Sequence, residues 1–324
     1  MHRFVVGTGR CGSTLLSKML RENDRVASLF EHFSGLDGAR RLARTPIDGP
    51  AFTDMICEVH AFTTMVLARG YHVPEVAYPF DRPGMRFARE TGVPFVLSTM
   101  IPSLGVDDPD AFYDELRAFT RALPTGTALE QHSALFAWVT ERLGKDVWVE
   151  RSGGTIDALG ALAGFPDARF LHIHRAGEEA ALSMRAHHVF RLGIMMGYGL
   201  APDGNDTDEE RDPLSRMLES RPDAEPFGRF WTDEVLHGFR ALAGLDAAQY
   251  HEIRFEDLIA RPRDVLAEVA DFFDLPQPHG AWRDRAAALV HGTPPTRFDQ
   301  LEAAERRRLA DACRPGNLLL DRVR

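Results

Sequence analysis

Gly7-Thr8-Gly9-Arg10-Cys11-Gly12-Ser13-Thr14 is the stretch best suited to chemistry. It stands between an apolar run, Phe4-Val5-Val6, and the apolar positions Leu15, Leu16, Met19 and Leu20. A strand entering a glycine-rich loop that opens a helix gathers backbone N–H groups on one anion, and the helix dipole adds to their pull. A nucleotide-hydrolase loop of the form G-x-x-x-x-G-K-S/T would carry Lys where this chain has Ser13. The loop's one cation is Arg10. The spacing therefore predicts a phosphate site that is not built for a magnesium-bound triphosphate.

Other residues of chemical interest stand at the ends of candidate strands. Val26 to Phe30 runs into Glu31-His32, Val147 to Glu150 into Arg151-Ser152, and the RFLHIH run ending at His174 into Arg175. In a parallel α/β sheet, ligands bind at the carboxyl ends of the strands. These groups should therefore face one crevice with the loop. Adjacent strand residues point to opposite faces, so if the strand continues only one of Glu31 and His32 can face it.

The elements that would position them alternate between strand and helix. Residues 3–31 read as strand, helix, strand. Residues 94–99 read as a further strand, and 51–70, 109–122 and 127–144 as helices. Tyr250 to Phe255 reads as the last strand, followed by helices near 262–273, 281–290 and 302–312. This is an α/β class with a P-loop-type parallel sheet flanked by helices. Helical insertions would form the acceptor side. The 324 residues fit a single domain, with 35–145 a mostly helical insertion and 200–226 a polar, mobile loop.

Composition narrows the partners. The net charge of -10 argues against nucleic acid. Lys18 and Lys145 are the only lysines, so an anion site must rely on Arg, which makes planar bidentate contacts. Cys11, Cys57 and Cys313 show no metal or disulfide spacing. No apolar run is long enough to span a membrane, and the first strand leaves no room for a leader. A cytoplasmic protein is expected.

Three segments together resemble the sulfotransferases that use 3′-phosphoadenosine-5′-phosphosulfate (PAPS), in the group that includes bacterial small-molecule enzymes and tyrosylprotein sulfotransferases. FVVGTGRCGSTLLSKML is similar to the family's 5′-phosphosulfate loop. FPDARFLHIHRAGEEAALSM is similar to its 3′-phosphate strand, loop and helix, and YHEIRFEDLIARPRDVLAEVADFFDLP to a later strand and helix. The resemblance implies that Arg10 and the N–H groups of Gly9, Arg10, Cys11, Gly12, Ser13 and Thr14 hold the 5′-phosphosulfate. It implies that Arg175 and Ser183 clasp the 3′-phosphate. Glu31 stands 21 residues after Arg10, where the tyrosylprotein group has its general base. Arg151 stands where that group has a lysine that stabilises the transferring group, and His187 where it has a second phosphate-binding Arg. Arg297 is a further phosphate candidate, and His32, His187 and His188 are candidates for lining the acceptor pocket.

The chemistry is consistent with those roles. In-line sulfuryl transfer places negative charge on the leaving phosphate, which needs a cation and aimed N–H donors. The acceptor hydroxyl needs a base. No metal is called for. The implied function is metal-independent transfer of a sulfuryl group from PAPS to a small-molecule hydroxyl or phenol. His32 could replace Glu31 as the base. The competing readings are a P-loop kinase of a small metabolite and a nucleotide-binding regulator without catalysis. Ser13, and the absence of a carboxylate at the end of the RFLHIH run, oppose the kinase. Glu31 and Arg151 oppose the regulator.

Overall fold

Five parallel strands carry the site. In the computed structural model, which describes residues 1–34, 41–42, 44–154, 156, 159–202, 212–242, 244–278 and 280–322, these are β1 (His2–Val6), β2 (Val26–Phe30), β3 (Val147–Arg151), β4 (Ala168–His174) and β5 (Tyr250–Arg254). Their order across the sheet is β2-β3-β1-β4-β5, and every pairing is parallel. β1 and β2 are not neighbours, because β3 lies between them and pairs with both. The 3–31 unit is thus parallel as expected, but its two strands flank a third from far along the chain.

The pleat divides the apolar residues between two layers. Phe4, Val6, Leu29, Trp148 and Phe170 pack on one face with the Gly49–Ile56, Pro109–Arg121 and Ala128–Arg142 helices. Val5, Val149, Leu171 and Ile173 pack on the other with the Ser13–Arg21, Pro262–Phe272 and Gly280–Ala287 helices. A third cluster joins the helices Gly177–Ala186, His188–Gly197, Glu225–Leu242 and Ala303–Arg322 around Trp231. Trp148 and Trp231 are both buried core.

Two expectations fail locally. Residues 94–99 contain a short helix, Phe95–Ser98, entered through Pro94. The run is apolar because it is buried on all sides, and a buried helix turn and a buried strand look alike in so short a segment. The polar 200–226 segment contains the helix Pro213–Glu219, capped by Asp212 with Pro at its first position. Its end, from Glu225, belongs to the Glu225–Leu242 helix, and 203–211 lie outside the described residues. No described helix is long and apolar enough to cross a membrane.

Candidate active site

The carboxyl edge of the sheet brings the loop, Glu31, Arg151 and Arg175 together. After β1 the backbone turns left-handed at Gly9 (φ 77°), Arg10 (φ 54°) and Gly12 (φ 94°), and the Ser13–Arg21 helix starts there. A Cβ on Gly9 would stand 2.5 Å from the Phe190 ring, and one on Gly12 would stand 2.0 Å from Phe255. The loop is therefore clamped between two aromatic rings at points that only glycine fits. Arg10 and Glu31 (φ 56°) are non-glycine residues in the same left-handed region. Such strain is held in place by surrounding bonds and gathers at functional sites.

Two cavities open at this edge. The first, about 530 Å³, is lined by Arg10, Gly12, Ser13, Thr14, Arg151, Arg175 and Ser183, and by Phe255, Ile259 and residues 289–295. The second, about 170 Å³, is lined by Gly9, Arg10, Glu31, Arg151, His187 and Glu75, with walls that include Val73, Phe95 and Phe190. Arg10 and Arg151 line both. Much of the second cavity's lining comes from the 35–145 segment.

Arg151 lies at the centre of the bonding. Its Nη1 donates to Glu31 Oε1, and its Nη2 donates to Ser13 Oγ at 2.5 Å and Thr14 Oγ1 at 2.9 Å. Its Nε is buried without an acceptor among the described residues. The second Glu31 oxygen accepts from Ser34 Oγ and from the Gly153 N–H at 2.9 Å. Arg10 donates from Nε to Ser183 Oγ at 3.2 Å and from Nη1 to Glu75 Oε1 at 3.1 Å. Glu75 Oε2 accepts from His187 Nε2 at 2.9 Å. Burial pushes the Glu75 carboxyl up, but His187 and Arg10 outweigh it and hold the pKa at about 2. The Arg175 guanidinium lies over Phe255, 4.9 Å from the ring centre.

Buried Glu150, one residue before Arg151, props this edge. Ser152 Oγ donates to it and accepts from the Phe33 N–H at 2.9 Å, which fixes the turn that carries Glu31. Burial pushes the Glu150 pKa up to about 8, so this carboxyl is protonated at neutral pH.

Several expected site residues lie elsewhere. His32 points into the core, where Nε2 meets His132 Nδ1 at 2.9 Å. Glu31 faces the cavity and its neighbour turns away, and burial drives the His32 pKa well down. His188 bonds the His72 carbonyl at 3.2 Å and does not line the smaller cavity. Arg297 lines a neighbouring cavity with Arg185, Arg191 and Arg221, while its own N–H and that of Phe298 donate to Glu179. The Cys11 side chain is fully buried in the core with Val5 and Leu16, so only its backbone can serve the loop. His172 is core and bonds Tyr250 at 2.8 Å. The sequence reading missed Glu75, Phe255 and the 289–295 wall. Phe255 was expected inside the last strand, whereas that strand ends at Arg254 and Phe255 faces the cavity.

The sulfotransferase family model matches residues 115–279. The chain belongs to the sulfotransferase family. The match spans β3, β4 and β5, and with them Arg151, Arg175 and Ser183. Among solved structures, the chain is similar to the sulfotransferase domain from the curacin biosynthetic pathway, at 14% identity over 96% of each chain with a TM-score of 0.45. It is similar to a sulfotransferase from Mycobacterium avium at 14% identity, covering 96% of this chain and 75% of that one, with a TM-score of 0.45. A sulfotransferase from Mycobacterium tuberculosis gives 16% identity over 97% and 76%, with a TM-score of 0.44. No curated protein sequence matches the chain. Membership of this family assigns sulfuryl transfer as the general chemistry, with a sulfuryl donor to be held.

Proposed function

We propose that this chain transfers the sulfuryl group of PAPS to the hydroxyl of a small molecule, with Glu31 as general base. The observation that carries this reading is that a phosphate-type cavity and a smaller, mostly apolar cavity meet at Arg10 and Arg151, beside Glu31.

The residues present fit the donor. The N–H groups at the start of the Ser13–Arg21 helix and the Ser13 and Thr14 hydroxyls suit the 5′-phosphosulfate. Arg175 and Ser183 suit the 3′-phosphate. PAPS supplies the activated sulfuryl group. Arg10 and Arg151 stabilise the charge that grows on the leaving phosphate oxygen. Both guanidiniums are engaged by carboxylates in the free protein. An anionic donor competes for them, loosens Arg151 from Glu31, and frees that carboxylate for proton transfer. Glu31 then accepts the proton of the attacking hydroxyl.

The test is transfer of labelled sulfur from PAPS to a panel of single-ring phenols with chelator present, by wild type and Glu31→Gln. Label should appear on at least one phenol with wild type and fall ~10²–10⁴-fold in the variant, the usual contribution of a positioned base. Equal transfer by both proteins would remove Glu31 from the mechanism.

A further inference from the structure

Glu75 lies in the 35–145 segment, between the helices Ala61–Leu67 and Phe95–Ser98, and its carboxylate closes one side of the smaller cavity. Both of its oxygens are committed, one to Arg10 and one to His187. His187 Nδ1 accepts from the Phe190 N–H at 3.4 Å, so the ring hydrogen stands on Nε2 and donates to Glu75. The carboxylate is thus fixed in place by a histidine that the helix start orients in turn.

The cavity's size and charge limit what can enter. Its volume of about 170 Å³ is close to that of an engineered cavity of ~150 Å³ that holds benzene. Val73, Val76, Phe95, Val189 and Phe190 give it apolar walls. At the junction, Arg10 and Arg151 are balanced by Glu31 and Glu75. A phosphosulfate group brings its own negative oxygens to the two guanidiniums. With the donor in place the junction carries excess negative charge, and a third anion would meet like charge away from water.

We propose that Glu75 sets acceptor specificity, admitting a one-ring hydroxyl compound that is neutral or ammonium-bearing and excluding carboxylated ones. This rests on the sulfuryl-transfer reading and adds the charge class of the acceptor. It assigns His187 a positioning role, since both of its ring nitrogens are already bonded.

The test uses three phenols of similar size: 4-ethylphenol, 4-(2-aminoethyl)phenol and 4-hydroxyphenylacetate. Their binding to protein saturated with adenosine 3′,5′-bisphosphate is measured by calorimetry, and their sulfation from PAPS by kcat/KM. In wild type the first two should exceed the carboxylate by at least ~10-fold in both measures, and Glu75→Gln should shrink that ratio by ~10-fold. A ratio across acceptors cancels any general damage from loosening Arg10. The proposal is overturned if wild type handles the carboxylate as well as 4-ethylphenol, or if the ratio is the same in Glu75→Gln. An intact charge order in binding without any sulfation would instead contradict the sulfuryl-transfer reading.

Discussion

Arg151 and Glu31 form an ion pair with side-chain exposures of 4% and 5%, and the same guanidinium also holds the hydroxyls of Ser13 and Thr14, where the glycine-rich loop enters its helix. Through this pair, β2, β3 and the loop after β1 share one bonded centre. The carboxylate assigned the proton and the cation assigned the leaving group are therefore placed by a single contact.

Removing one member of that pair should act on stability as well as rate. Arg151→Met leaves Glu31 buried without its counter-charge, which typically costs about 3–5 kcal/mol. Turnover should fall by at least ~10², the scale of losing one preorganised donor. Glu31→Gln removes basicity while keeping shape, but it likewise leaves the buried Arg151 without its counter-charge, so its stability should fall on the same scale while its turnover falls at least as far. Denaturant unfolding and turnover, measured on both variants, check this. No stability loss in either variant would mean that the pair is not the buried contact described.

The 3′-phosphate should be read by Arg175 and Ser183. Arg175→Ala should weaken adenosine 3′,5′-bisphosphate at least ~10-fold and leave adenosine 5′-phosphate nearly unchanged, since a charged hydrogen bond contributes about 1.5–3 kcal/mol. Ser183→Ala should act in the same direction more weakly. Calorimetric titration of both ligands is the check, and parallel losses for the two would place Arg175 away from the 3′-phosphate.

Gly12→Ala should disable the loop. The added methyl group would stand 2.0 Å from Phe255 in a backbone with φ of 94°, so stability should fall by more than ~1 kcal/mol and bisphosphate binding should be lost. Combining it with Phe255→Ala should recover part of the stability by removing the clash, though not the cost of the backbone angle. Urea unfolding of the single and double variants measures the recovery.

Stability should peak near pH 6.5. Glu150, with its pKa raised from 4.5 to about 8, keeps its proton in the folded protein and loses it in the unfolded one between those values. The folded state binds more protons there, so stability falls as pH rises through that window. His132, lowered from 6.5 to about 4 by burial, and buried His32 act in the opposite sense. The unfolded state binds protons that the folded state refuses, so stability is lost as pH falls below 6.5. A tenfold difference in proton affinity between the folded and unfolded states is equivalent to roughly 1.4 kcal/mol. Glu150→Gln should therefore stabilise the protein, with a gain that grows from pH 5 to pH 8. Denaturation midpoints across pH 4–9 test this, and a gain independent of pH would mean that Glu150 is ionised in the folded protein.

The parts of the site legible in the sequence are those where local pattern fixes position. The loop, Glu31, Arg151 and Arg175 each follow an apolar strand, and strand ends of a parallel sheet converge whatever lies between them. Glu31 faces the cavity and His32 turns away, but the strand ends at Phe30 and Glu31 has φ 56°, so the pleat is not what separates them. Glu75 was invisible because nothing in its local sequence marks it. It reaches Arg10 from 65 residues away, through a segment whose path is set by tertiary packing. The burial of Phe95–Ser98 erased the periodicity that separates helix from strand. The place of β3 between β1 and β2 depends on long-range pairing that no spacing reveals.

The central claim is that the loop, Arg175 and Ser183 hold a 3′-phosphorylated adenine nucleotide without metal. Calorimetric titration in chelator with adenosine 3′,5′-bisphosphate, set against ATP with magnesium, tests it most directly. The bisphosphate should bind and raise the melting temperature by mass action, and ATP with magnesium should bind at least ~10-fold more weakly. Tighter binding of ATP with magnesium, with no binding of the bisphosphate, would contradict the account and return the loop to a kinase.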